Sequence, residues 1–449
     1  MYRRLALFTA LMLLLTACTP AVHGGGSAEA EKSTADISGA SMQSIEAMAV
    51  PTEPEPELEP GPVLTQADVD GALARVMENY SAAAVSVATV ERGQLSQSGA
   101  WGWAVKNERE MTPDTKVRIA SISKVVVAMC AMAMVEEEIV DLDAPLSDYW
   151  GTGVRNPYSK GQPTARTLMT HTSSIKNLDT TRGLSRLKGL LQSRSSWRSM
   201  EPGSGGYWAY SNFGMCVLGT TLELAYGGLL DDYLQEHFLD PMDARASFFG
   251  GRLEEKEVAT LYSGGSVGRS AKEHTGRKVP TKIGDSASFF PGGFTVSAVD
   301  MAKLMSVLIN DGVYQAPVYT YTAVEDVENG VQMVIAQPLE GEFQEVRLLS
   351  EESVADMETP RFTVDLADYC PFEQCLILRR QEDVLGQDVL YYHTGSAYGV
   401  YSLMTYNPDT GNGIVVISTG ARRNVNERGM YALCSDVMEI LYSRMEGEG

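Results

Sequence analysis

The spacing of apolar residues predicts a succession of helices and strands with a distinctive arrangement at the two ends of the chain. Val69, Leu73, Val76 and Met77 recur at helical spacing, and Thr65 stands where a helix cap is wanted. Strand-like runs follow from Ala83 to Val90 and from Gln94 to Val105. Residues 122–138, 211–225, 297–311 and 424–444 read as helices. Strand-like runs return at 387–393, 399–406 and 413–419, with the turn residues Asn407 to Gly411 between the last two. Strands at both ends therefore flank a helix-rich middle. This predicts one α/β domain of the α+β kind over residues 63–449. Its antiparallel sheet would pair the two chain ends, with helices around it and a helical subdomain inserted. No internal repeat is visible, and 313–385 carries no pattern that assigns it.

The N-terminal part follows other rules. Arg3 and Arg4 precede an apolar run from Leu5 to Leu15, and then come Thr16, Ala17 and Cys18. A basic start, a short apolar stretch and small residues read as an export signal over 1–17. The run is too short to span a bilayer. Leu15-Thr16-Ala17-Cys18 resembles a bacterial lipobox, which implies cleavage before Cys18, a lipid on its thiol and attachment to the membrane surface outside the cytoplasm. The alternative is an ordinary cleaved signal with an incidental cysteine. Residues 18–62 are rich in Gly, Ser, Ala, Glu and Pro, and the acidic stretch from Pro51 to Pro60 cannot bury enough apolar surface to fold. As a coil this linker would reach on the order of 35–40 Å.

Charge removes one class of partner. The 449 residues carry a formal net charge of −22, which repels phosphate backbones and argues against nucleic-acid binding. The five histidines are scattered and no Cys/His spacing suggests zinc, so neither metal nor other cofactor is expected. Cys130, Cys216 and Cys434 sit in apolar stretches and read as small buried hydrophobes. Cys370 and Cys375 lie close together in a polar stretch, where export would permit a disulfide without requiring one.

Three short motifs carry the candidate chemistry. In Ser121-Ile122-Ser123-Lys124, the first serine and the lysine share a helix face. A helix start also supplies free backbone N–H groups and a positive field. A serine hydroxyl needs a nearby base to attack a carbonyl, and a neutral lysine can serve. Ser-x-x-Lys recurs at Ser173 to Lys176 and Ser185 to Lys188, but in polar surroundings that suit solvated lysines. Only Ser121 precedes an apolar run, Val125 to Met134, that looks like a buried central helix. Tyr210-Ser211-Asn212 offers a phenol to relay a proton and an amide to hold a substrate carbonyl; alternatively Asn212 merely caps a helix. His393-Thr394-Gly395-Ser396 ends a strand-like run, and a small residue there lets a substrate backbone lie alongside. A backbone N–H in that stretch can pair with that of Ser121 to hold an oxyanion. A second His-Thr-Gly, at His274, falls in a charged, loop-like stretch and reads as coincidence.

In this order the three motifs make the sequence resemble the serine β-lactamase and penicillin-binding protein superfamily, in particular its class C-like branch of β-lactamases, D-alanyl-D-alanine carboxypeptidases and esterases. Leu142 to Leu146, Leu168 to Ile175 and Gly292 to Asp300 resemble further stretches of that branch, so the likeness covers roughly 64–445. It implies a β-lactamase/transpeptidase-like fold. It also implies an acyl-enzyme mechanism with Ser121, Lys124, Tyr210 and His393 catalytic and Asn212, Thr394, Gly395 and Ser396 on the substrate. Ser174 stands where the family usually has glycine. Histidine rather than lysine opens the third motif, as in many carboxypeptidase- and esterase-like members, which points away from efficient β-lactam hydrolysis. His171 is more structural than catalytic by the same resemblance. The implied activity is hydrolysis of an amide or ester. A β-lactamase and a wall-bound sensor that stays acylated or binds peptides are the alternatives.

The mechanism imposes a physical condition. Lysine ordinarily titrates near ~10.4, so acting as a base at neutral pH takes a shift of about three units, roughly 4–5 kcal/mol. Burial or a nearby positive charge can supply it, and a protonated His393 facing the pocket would be such a charge. Alternatively Tyr210 is the anion, and the sequence does not choose between the two.

Overall fold

The computed structural model describes residues 66–204, 207–326 and 331–447. The predicted export signal, Cys18, the acidic linker and Thr65 lie outside these residues.

The predicted first helix runs Gln66–Tyr80 and buries Val69, Leu73 and Val76. The strand after it, Ala84–Glu91, sits inside a nine-stranded antiparallel sheet. From one edge to the other the strands are Phe362–Leu366, Tyr369–Gln374, Arg379–Val384, Gln387–Ala397, Val400–Asn407, Asn412–Thr419, Ala84–Glu91, Gln94–Val105 and Arg109–Glu110. The two chain ends meet in it: Ala84 pairs with Thr419, Val87 with Val416 and Val90 with Gly413.

Both faces of this sheet are covered. Val85, Val87, Leu403, Ile414 and Val416 face one hydrophobic cluster, shared with the Gln66–Tyr80 helix and the C-terminal helix Ala432–Gly447. Ala84, Ala88, Met404, Val415 and Ile417 face the other, shared with the helix Ala298–Ile309 and the helical middle of the chain. A strand buried on both faces needs apolar side chains at nearly every position, so Ala84–Glu91 reads as a continuous run rather than an alternation.

The helix Ser123–Glu136 runs through the larger cluster, with every residue from Ser123 to Met134 buried. Each buried Val or Met there contributes about 1.5–3 kcal/mol relative to exposure. That surplus anchors the helix start, where a lysine is taken out of water.

One expectation is corrected, and two points the sequence left open are filled in. The last helix begins at Ala432, not near 424; a loop closed by a bridge between Val425 and Tyr431 precedes it. Within 313–385 the described residues are ordered by pairing over distance. They form the hairpin Val313–Asp326/Val331–Arg347, the helix Glu351–Glu358 and the three strands at the sheet edge. Pro317 and Pro338 break the alternation of the hairpin sequence, and the register shifts between Pro317 and Tyr319. A two-stranded sheet has two open edges, where proline is tolerated. Cys370 and Cys375 are free. Extended chain rises about 3.3 Å per residue, which holds them far beyond disulfide reach. Cys130, Cys216 and Cys434 are buried as expected.

Candidate active site

A strained turn carries Ser121. The two-residue strand Val117–Arg118 leads into a 3₁₀ turn, Ala120–Ile122, from which the Ser123–Glu136 helix continues. Ala120 has φ +53°, a left-handed backbone that costs a residue with a Cβ roughly 1–2 kcal/mol. Neighbours hold it there. Ser123 Oγ donates to the Ala120 carbonyl at 2.5 Å and accepts from the Phe294 N–H at 3.0 Å. Ser402 Oγ donates to the Ile119 carbonyl at 2.7 Å. The second serine of the motif is thus a structural clamp on the turn.

Lys124 Nζ lies 3.0 Å from Ser121 Oγ, as the helical spacing requires. It also donates to the Pro291 carbonyl at 2.5 Å and stands 4.9 Å from the centroid of the Tyr210 ring. Its side chain is fully buried, and no carboxylate pairs with it among the described residues. Burial drives its pKa down; Tyr210 opposes the shift and Arg379 adds to it. Desolvation of an unpaired ammonium is worth several kcal/mol, which is the size of shift a lysine base needs.

Tyr210 ends an extended segment just before the helix Asn212–Tyr226. Its ring packs against His171, 4.6 Å between centroids, and Trp208, 6.3 Å. The Ser211 N–H points to His171 Nδ1 at 3.4 Å, and burial pushes the His171 pKa well below its ordinary value, so this imidazole is a neutral spacer. Ser211 rather than Asn212 caps the helix, its Oγ accepting from the Gly214 N–H at 2.8 Å. The Asn212 amide is thereby left to line the pocket.

The strand Gln387–Ala397 closes the site from the other side. A Cβ on Gly395 would stand 2.3 Å from Ser402 Oγ, 2.4 Å from the Ile119 carbonyl oxygen and 3.2 Å from the Ser121 nitrogen. Only glycine lets the strand run this close to the Ser121 turn. Thr394 and Ser396 line the pocket.

His393 departs from expectation. It is 2% exposed, is not among the lining side chains, and its Nδ1 lies 2.8 Å from the Thr394 carbonyl. Burial, reinforced by Arg379 and Lys124, drives its pKa well below the ordinary range. A protonated His393 is therefore not the charge that lowers Lys124. Placing another cation in a buried site beside Lys124 is the more costly arrangement. The cation that does act on Lys124 is Arg379, which reached the site from the region the sequence left unassigned.

Ser174, the residue in place of glycine, adopts φ +61° and keeps the left-handed backbone a glycine would supply. Its Oγ accepts from Asn156 Nδ2 at 2.8 Å. The second His-Thr-Gly lies not in a loop but on the short helix Ala271–Thr275, where His274 is buried against Thr295 Oγ1 at 2.9 Å.

Ser121, Tyr210, Asn212, Thr394 and Ser396 share one cavity of about 310 Å³. Sequence reasoning missed the rest of its wall. Trp208, Tyr369, Phe372 and Tyr431 supply aromatic surface, and Arg379, Arg423 and Arg428 supply charge. Arg379 stacks on Phe372 at 4.5 Å, and Arg428 donates to the Glu382 and Asp383 carbonyls at 3.1 and 2.6 Å. Among the described residues no acidic side chain lines the cavity. An aromatic beside Tyr210 in sequence was the one available signal, at Trp208. The arginines come from segments that only the fold brings near.

Among protein families, the Beta-lactamase model matches residues 69–434. No curated protein matches the sequence significantly. Solved structures share the fold at low identity. The D-amino acid amidase of Ochrobactrum anthropi SV3, complexed with L-phenylalanine, is 17% identical over 85% of this chain and 100% of its own, with a TM-score of 0.61. The octameric penicillin-binding protein homologue from Pyrococcus abyssi is 21% identical over 80% of this chain and 74% of its own, at 0.59. A β-lactamase/D-alanine carboxypeptidase from Pseudomonas syringae is 14% identical over 84% of this chain and 97% of its own, at 0.58.

Proposed function

The chain belongs to the β-lactamase family, and from that premise we propose that it is a serine hydrolase of the D-alanyl peptidase or esterase type, cleaving an amide or ester through an acyl-enzyme. One observation carries the reading: a lysine amine, fully buried without a carboxylate partner, lies 3.0 Å from the Ser121 hydroxyl with the Tyr210 ring beside it.

The chemistry follows from that contact. The neutral Lys124 amine takes the Ser121 proton as Oγ adds to the substrate carbonyl carbon. The Pro291 carbonyl fixes one amine N–H, so the lone pair is directed at Ser121. The carbonyl oxygen becomes an oxyanion held by the Ser121 N–H and the backbone at Ser396, which the missing Cβ of Gly395 allows to come close. The tetrahedral carbon expels the amine or alkoxide. Lys124 returns its proton to that leaving group through the Tyr210 hydroxyl, which lines the cavity the leaving group occupies. Water then adds to the acyl-Ser121 ester with Lys124 and Tyr210 again taking the proton, and the acid departs. Arg379, Arg423 and Arg428 suit a carboxylate on the leaving group.

Ser121→Ala should lower turnover by at least about 10³-fold and abolish labelling by a fluorescent penicillin, while the fold persists. A screen with a D-Ala-D-Ala peptide, a short-chain ester and nitrocefin identifies the preferred bond. Unchanged turnover in the variant would end this reading. A stable Ser121 adduct in the wild type without turnover would replace it with that of an acylated sensor.

A further inference from the structure

A second pocket adjoins the site. It is a groove of about 800 Å³ lined by Arg118, Arg182, Arg186, Arg277 and Lys278, with no acidic residue lining it among the described residues. Two chain segments contribute to both the groove and the Ser121 cavity. Arg118 lies three residues before Ser121, and its Nε donates to the Gly292 carbonyl at 2.6 Å. Gly292 follows Pro291, whose carbonyl holds Lys124. Tyr398 lines the groove while Ser396, two residues earlier, lines the Ser121 cavity.

The charge in this groove is uncompensated. None of the five cations forms an ion pair among the described residues. Arg118 stacks on Tyr398 at 4.9 Å, and Arg269 adds a further guanidinium on the same ring at 4.6 Å. The Arg269 Nη1 is buried with no hydrogen-bond partner. Burial, together with Arg269 and Arg277, lowers the Arg118 pKa to about 10, so the group stays charged at neutral pH. Burial pushes the Tyr398 phenol up, but Arg118 and Arg269 outweigh it and hold it below its ordinary value. Glu273, an acid near Arg269 and Arg277, is occupied at the start of its own helix, its carboxylate accepting from the Ser270 N–H. In a chain of net charge −22, a like-charged cluster with no acid in it is arranged for something that arrives from outside.

We propose that this groove is an anion-binding subsite for the acyl portion of the substrate, which carries one or more carboxylate or phosphate groups there. The assignment rests on the hydrolase reading above. There the leaving group takes its proton from Tyr210 and fills the cavity with Arg379, so the acyl portion extends past Ser121 toward Arg118 and Tyr398. The substrate is then anionic on both sides of the bond that is cut.

The test compares two esters that differ only at the far end of the acyl chain, p-nitrophenyl butanoate and the mono-p-nitrophenyl ester of glutaric acid. Wild-type kcat/KM should favour the charged ester roughly tenfold at low ionic strength, the summed effect of several partly exposed ion pairs, and the ratio should fall toward one at 1 M salt. The double variant Arg182→Ser, Arg277→Ser should bring the ratio toward one at low salt. Because the ratio is taken within one protein, a general loss of activity cancels. Equal kcat/KM for both esters in the wild type, or a preference that survives in the double variant, overturns the proposal. If neither ester is turned over and Ser121 is never acylated, it is the hydrolase reading that has failed. Calorimetric titration of the Ser121→Ala chain with citrate and, separately, inorganic phosphate then reads the groove directly. Binding that disappears when Arg182 and Arg277 are also replaced supports an anion site and names its preferred group; no binding of either overturns it.

Discussion

Replacing Lys124 by methionine should abolish the protein's chemistry and shift its stability in a pH-dependent way, the variant losing ground to the wild type as the pH rises toward 10. The side chains are of similar length, and the site is fully buried. In the unfolded chain the lysine is charged below ~10.4. In the fold, burial lowers its pKa and Tyr210 only partly opposes this. Wherever the amine is neutral in the fold and charged in the unfolded chain, the unfolded state binds one more proton, and wild-type stability rises by about 1.4 kcal/mol per pH unit. Methionine carries no such term. Over the pH range in which the amine is neutral in the fold and charged in the unfolded chain, the difference in unfolding free energy, variant minus wild type, should therefore shrink by about 1.4 kcal/mol for each pH unit. Methionine also abandons the Pro291 carbonyl, and an unmet buried acceptor costs about 1–3 kcal/mol. That loss is the same throughout this range, so it moves the offset and not the slope. Urea melts of both proteins at several pH values measure the slope, and titrating groups that do not feel the Lys124 charge cancel in the difference. A difference independent of pH would mean the lysine is charged in the fold, and the proposed role of Lys124 as base would fall with it.

Three further outcomes are expected. His393 is buried and neutral, so wild type and His393→Gln should show superimposable normalised pH–rate profiles between pH 6 and 8; a limb near the ordinary histidine range in the wild type alone would restore a charged role. Ser174→Ala keeps the left-handed strain and loses the bond from Asn156, while Ser174→Gly loses both. Thermal melts should place the alanine variant about 1 kcal/mol below the glycine variant, and alanine equal to glycine would refute the strain. Gly395→Ala puts a Cβ 2.3–2.4 Å from Ser402 Oγ and the Ile119 carbonyl. It should cost about 1–3 kcal/mol in stability and at least about 100-fold in turnover, and wild-type kinetics in that variant would mean the strand need not lie against the Ser121 turn.

Much of the site was legible because its core is local. A serine and a lysine three apart on a helix share a face whatever surrounds them, and a run as apolar as Val125 to Met134 has nowhere to go but the interior. The central strands declared themselves in the same way, since a strand covered on both faces must be apolar throughout. The pairing of the chain ends followed from strands at both termini. What the sequence could not convey was which distant groups meet. The Pro291 carbonyl that orients Lys124 lies 167 residues away along the chain. Arg379 comes from a strand in the stretch that showed no pattern, and Arg428 from a loop mistaken for helix. The state of His393 also turned on depth: exposed, an imidazole is half-charged near neutral pH, but buried beside Lys124 and Arg379 it is held neutral. Periodicity and spacing act over a few residues and are written in the chain. Burial and the sum of charges at a point depend on everything the fold brings there, so only the tertiary structure decides them.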